Sequence, residues 1–128
     1  MAGEPIEGQV LVLAAAKASV PPQRLPVLLE RVQTDLETRL ETYRRSYERV
    51  YDGDDLEVFL VERDHWVDIG DRLGFDRRET AAVRRTHEEQ LLRIGRRHDR
   101  EAEFESALEI RDPVVIGTND RSGSHRDR

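Results

Sequence analysis

With 128 residues, 37% apolar and 38% charged, the chain fits one domain whose lean core must be concentrated in stripes. It has no cysteine, which excludes disulfides, thiolate metal sites and cysteine catalysis. The net charge is −6, from 27 acids and 21 bases, and every base except Lys17 is an arginine. That bias is what a GC-rich coding sequence produces. Joined to the acidic surplus, it fits either a salt-adapted organism or an ordinary acidic protein. Residues 71–100 carry nine bases and six acids, the one basic stretch in an otherwise acidic chain. No apolar run approaches ~18 residues, so a transmembrane helix is not expected. The opening MAGEPIEGQVLVLAAAKAS lacks a basic n-region, so Val10 to Ala16 reads as core helix rather than signal peptide. A soluble cytoplasmic protein follows as the expectation.

In chain order, Glu7 to Ser19 predicts a short alanine-rich helix with Val10, Leu11, Ala14, Ala15 and Ala18 inward. Pro21 and Pro22 end it, because the residue before a proline avoids helical angles. Gln23 to Tyr51 then predicts a long amphipathic helix. Its apolar stripe comprises Leu25, Leu29, Val32, Leu36, Leu40, Tyr43, Tyr47 and Val50, with Pro26 in the first turn. The spacing is not a sustained heptad, which favours packing within the domain over a long coiled coil. The tyrosines read as core and rim packing. Asp52-Gly53-Asp54-Asp55 marks a turn, without the further oxygen ligands of a calcium loop.

Leu56 to Val61 predicts a buried strand, and Asp64 caps a helix from His65 to Leu73. Gly74 supplies a sharp turn, Asp76 and Glu79 an acidic capping box, and Arg77 to about Arg97 a second helix. Glu101 to Ser106 has no clear pattern. Ala107 to Ile110 and Val114 to Ile116 predict two short strands around Asp112-Pro113. From Gly117 the tail has almost nothing to bury, so disorder is expected over 117–128. The expected organisation is one α-rich domain over 1–116.

The stretch 64–97 has the outline of a helix-turn-helix. Trp66, Ile69 and Leu73 face inward from the first helix. Gly70 permits close approach, and Phe75 fills the gap after the turn. Thr80 stands where Val or Ile is more usual. At 100° per residue, Thr80, Val83, His87, Leu91 and Ile94 fall on one side of the second helix. Arg78, Arg85, Arg93, Arg96 and Arg100 fall on the other, with Glu88 and Glu89 intruding. The expected fold class is mainly α with a small β-sheet. Specifically, it is a winged-helix-like helix-turn-helix preceded by a short helix and a long amphipathic helix.

Catalytic and metal-binding patterns are not found. His87-Glu88-Glu89-Gln90-Leu91 begins like HExxH but ends in leucine, and His65, His87, His98 and His125 lack ligand spacing. His87 reads as a helix-face residue flanking the core. Gly70 to Gly74 is no phosphate cradle, and a nucleophile elbow is absent. No cofactor and no enzymatic activity are expected.

The strings LAAAKASVPP, YRRSYERVYDGDD, AVRRTHEEQLLRIGRR and ALEIRDPVVIG resemble small haloarchaeal proteins in families of unknown function. The resemblance spans about residues 5–117 and implies a source, but no site residue. The residues themselves point to double-stranded DNA as partner, in a transcription-regulatory role, with Arg77, Arg78, Arg85 and Arg96 contacting phosphates or bases. The alternative is a non-enzymatic interaction module that forms a homodimer or docks a protein through the 23–51 helix. No membrane partner is expected.

Overall fold

The structure, a computed structural model, describes Ile6, Glu7, Val10 and residues 20–118. The helix expected at Glu7 to Ser19 lies outside those residues except at Glu7 and Val10, and the tail beyond Thr118 lies outside them too. Among the described residues, five helices and one three-stranded sheet follow in order: α1 (Leu25–Glu37), α2 (Leu40–Ser46), β1 (Glu48–Asp52), β2 (Leu56–Val61), α3 (His65–Leu73), α4 (Arg77–Arg97), α5 (Glu101–Leu108) and β3 (Asp112–Gly117). The chain is therefore mainly α with a small antiparallel sheet, of strand order β1-β2-β3.

The single helix predicted over Gln23 to Tyr51 is instead two helices and a strand. The Thr38 hydroxyl donates to the Asp35 carbonyl at 2.8 Å, and the Arg39 N–H turns to Leu36 at 2.9 Å. An i→i−3 bond replaces the i→i−4 ladder, and the helix breaks there. Leu40 and Tyr43 still reach the core. Tyr47 is already extended (φ −129°, ψ 158°), and Glu48 to Asp52 pairs with β2 through a bulge between Arg49 and Tyr51. The cause is tertiary. All six residues of β2 are buried, so its backbone needs partners on both edges, and the segment across the Gly53 turn supplies one.

β3 supplies the other, pairing Val58 with Val115 and Leu60 with Pro113. The expected strand at Ala107 to Ile110 is helix and turn: the Arg111 N–H returns to the Ala107 carbonyl at 3.0 Å, and Ile110 is 69% exposed. Asp112-Pro113 lies inside β3 rather than between two strands. Among the described residues, the hairpin therefore precedes the α3–α4 pair, one strand follows it, and no second hairpin stands where a wing would be.

Side chains, not a further strand, satisfy the outer edge of β3. Trp66 Nε1 donates to the Pro113 carbonyl at 3.0 Å, and the Val115 N–H donates to His87 Nδ1 at 2.9 Å. Gln33 accepts from the Gly117 N–H at 2.9 Å and donates to the Val115 carbonyl at 2.7 Å. Pro113 needs no donor partner, which suits it to this edge. An edge so occupied cannot template another chain.

Helices α1, α4 and α5 pack on β3, and α1 also packs on α3 and α4. The buried face of α1 is Leu25, Leu28, Leu29, Val32 and Leu36. Tyr43 is buried against Phe59, ring centroids 5.7 Å apart, as core packing requires.

Candidate functional site

The α3–α4 junction is built from local chemistry. Gly74 adopts φ 76°, ψ 25°, the left-handed region where a Cβ is unfavourable. Its N–H bonds to Asp71 at 3.3 Å, and the Phe75 N–H reaches back to the Gly70 carbonyl at 2.8 Å. This is a Schellman closure. The Asp76 carboxylate accepts from the Glu79 N–H at 2.8 Å, while Glu79 accepts from the Asp76 N–H at 3.0 Å. The predicted capping box is therefore complete at the start of α4. Gly70 seats Thr80: a Cβ there would stand 2.1 Å from Thr80 Oγ1.

α1 braces this junction. Arg31 donates to the Leu73 carbonyl at 2.7 Å and lies over the Phe75 ring at 5.1 Å. Arg72 meets Asp35 at 2.5 Å, and Arg24 meets Glu79 at 3.1 Å. The leucine stripe that an interaction module would need is thus buried between α1 and its neighbours; Val27, 45% exposed, lies outside it.

The inward face of α4 follows the periodicity at Val83, His87, Leu91 and Ile94, which are buried, while Thr80, expected on the same side, is only half-buried. It is broader than predicted, because Ala82, Thr86, Gln90 and Gly95 are buried as well. His87 lies inside the core, not beside it.

The arginines are far from equivalent. Arg84 binds Glu88 at 2.6 Å, Arg96 binds Glu101 at 3.0 Å, and Arg100 binds Glu103 at 2.9 Å. Arg93 and Arg97 both bind Glu7, at 2.8 and 2.5 Å. Arg77, Arg78 and Arg85 have no ion pair among the described residues. Arg77 and Arg78 are exposed, and Arg85 is half-buried. Arg78 and Arg85 share an outward strip with exposed Ala81. Arg96 lies apart from them. At 1.5 Å per residue it is about 27 Å along the axis from Arg78, too far to share one contact.

Beside this strip a cleft of about 530 Å³ opens between α3, the start of α4 and the first residue of β3. Trp66, Val67 and Phe75 form an apolar wall, and Arg63, Arg77 and Arg84 supply cations. Asp112 also lines it, with a side chain only 3% exposed. Its Oδ1 has no hydrogen-bond partner among the described residues. The nearest guanidinium nitrogens, on Arg84 and Arg63, stand 3.8 and 4.0 Å away. Burial pushes the Asp112 carboxyl above its ordinary value, against the pull of both arginines. Arg63 is partly engaged elsewhere, donating to the Leu108 carbonyl at 3.1 Å. Sequence reasoning missed this cleft, because Asp112-Pro113 carries the signature of a turn and Arg63 belongs to no motif.

No helix among the described residues is long and apolar enough to cross a membrane. Comparison with the curated proteins and with the solved structures gives no match to the chain. Residues 4–118 match the family described as Domain of unknown function (DUF8048), and the chain belongs to that family.

Proposed function

We propose that the protein is a non-enzymatic binder of double-stranded DNA, in a regulatory role, and that the first turns of α4 make the contact. One observation carries the reading. Arg77, Arg78 and Arg85 have no ion pair among the described residues, on a helix that starts at a tight glycine turn, while Arg84, Arg93, Arg96 and Arg97 on α4 are paired. Ala81 between them is small enough to let the helix approach a groove. The capping box already occupies N–H groups at the helix start, so contact falls to guanidiniums rather than to the helix terminus. Arg96, held by Glu101, is not part of this interface. The winged-helix likeness is retained only for the helix pair and its brace α1.

Three arginine–phosphate contacts give a log–log salt slope of about −2.7, so affinity should fall roughly 40-fold between about 50 and 200 mM salt. If the source is the salt-adapted one suggested by the arginine-rich, acidic composition, the complex must lean further on shape and apolar contact. The test is fluorescence anisotropy of a short labelled duplex titrated with protein at several salt concentrations. Arg77→Glu/Arg78→Glu should abolish binding, and Arg96→Glu should leave it unchanged. No binding by the wild type at low salt, or equal binding by the double variant, refutes the proposal.

A further inference from the structure

We propose that the cleft between α3, α4 and β3 is a binding site for a small aromatic acid: a planar monoanion that also carries a hydroxyl or N–H donor. Its volume of about 530 Å³ is that of a small-molecule site rather than a packing defect. Three features of its lining specify the ligand. Trp66, Val67 and Phe75 form an apolar wall against which a flat ring can lie, and Val67, 55% exposed, leaves that wall open to a ligand. Arg77 is an exposed cation at the same cleft with no ion pair among the described residues, placed to receive one negative charge. Asp112 is a buried carboxylate whose Oδ1 accepts no hydrogen bond from the described residues. Such an atom is costly to leave unmatched, and a donor on the ligand matches it.

The charges also say what the site rejects. An ammonium group would face Arg63, Arg77 and Arg84. A polyphosphate would face the carboxylates of Asp71, Asp76 and Asp112. A single negative charge at one end of a flat apolar body, with a neutral donor at the other, avoids the first objection and reduces the second, because one charge set at Arg77 is repelled by those carboxylates less than several would be. Arg84 and Arg63 stand over Asp112 at 3.8 and 4.0 Å, so a donor must part them, and binding entails their rearrangement. Because Arg77 serves both surfaces, an occupied cleft withdraws one cation from DNA. That consequence rests on the DNA-binding reading; the site itself does not.

Trp66 is the single tryptophan of the chain, and its indole N–H bonds to Pro113, the residue next to Asp112. One indole cross-peak in a nitrogen–proton correlation spectrum therefore reports the cleft, with no DNA present. The probes are 4-hydroxybenzoate and indole-3-carboxylate, and the controls are benzoate, which lacks the donor, and methyl 4-hydroxybenzoate, which lacks the charge. Both probes should shift the indole peak saturably, with each control about tenfold weaker, the worth of one charge-assisted hydrogen bond. Arg77→Gln should weaken both probes by a similar factor while leaving the rest of the spectrum in place. Ala81→Gln, which crowds the cleft mouth, should weaken probes and controls alike. Absence of a saturable shift with either probe overturns the assignment, as does equal binding of the acid and its methyl ester.

Discussion

His87 makes the sharpest physical prediction in this fold. It is fully buried, its Nδ1 accepts the Val115 N–H at 2.9 Å, and its ring lies edge-on to Trp66 at 4.7 Å. An accepting Nδ1 places the proton on Nε2, so the ring is neutral. Nε2 has no hydrogen-bond partner among the described residues. Burial lowers the His87 pKa from 6.5 to about 3. As pH falls, the unfolded chain takes up a proton near 6.5 and the folded chain does not. Stability from this residue is therefore complete above about pH 6.5 and drains away as pH descends towards 3. Linkage gives a loss of about 2 kcal/mol between about pH 7.5 and pH 5, and about 5 kcal/mol once both forms are protonated.

Carboxylates act in both directions but are common to wild type and variant: burial raises Glu88 from 4.5 and Asp112 from 3.8, which favours the folded state as pH falls and opposes the His87 slope. Hydrogen bonds from Arg44 and Arg49 lower Glu57 from 4.5, and arginine partners outweigh burial to lower Glu7 from 4.5 and Asp35 from 3.8. Their contributions are present above those values and are lost only at lower pH. His65, lowered by burial, adds a slope of the same sign but remains in any His87 variant. Urea unfolding of the wild type and His87→Gln at about pH 7.5, 6 and 5 isolates the residue. Glutamine can still accept the Val115 N–H and does not titrate. The wild type should lose about 2 kcal/mol more than the variant over that range. Parallel losses in the two proteins would refute the argument.

Three further outcomes follow from the geometry. Gly70→Ala should cost about 1–3 kcal/mol because its Cβ would collide with Thr80 Oγ1 at 2.1 Å; adding Thr80→Ala should recover much of that loss in a urea double-mutant cycle, whereas strictly additive losses would show that the contact is not the cause. Asp76→Ala removes the cap on α4 and should lower stability by about 1 kcal/mol, read as a fall in urea midpoint at constant slope. Gln33→Leu strips the partner from the Val115 carbonyl and the Gly117 N–H, and should cost about 1–3 kcal/mol with faster amide exchange at Gly117.

The parts legible in the sequence were those decided within a few residues. Gly74 needs its left-handed angles for the turn, Asp76 and Glu79 cap each other across three positions, and the 3.6-residue period orients Val83, His87, Leu91 and Ile94. Each depends on backbone sterics and local hydrogen bonds, so α3, its turn and α4 could be placed from composition and spacing alone. Where Tyr47 to Asp52 would go could not be. Their apolar spacing suits a helix, but the unpaired edge of β2 outbids that preference. Availability of the arginines was equally hidden, since periodicity tells which way a side chain points and not what waits for it. Glu7 reaches Arg93 and Arg97 from more than eighty residues away, and Asp112 meets Arg63 and Arg84 only once β3 is laid along the sheet. Long-range pairing needs the chain folded back on itself, and tertiary structure alone could decide which cations are left without an ion pair among the described residues.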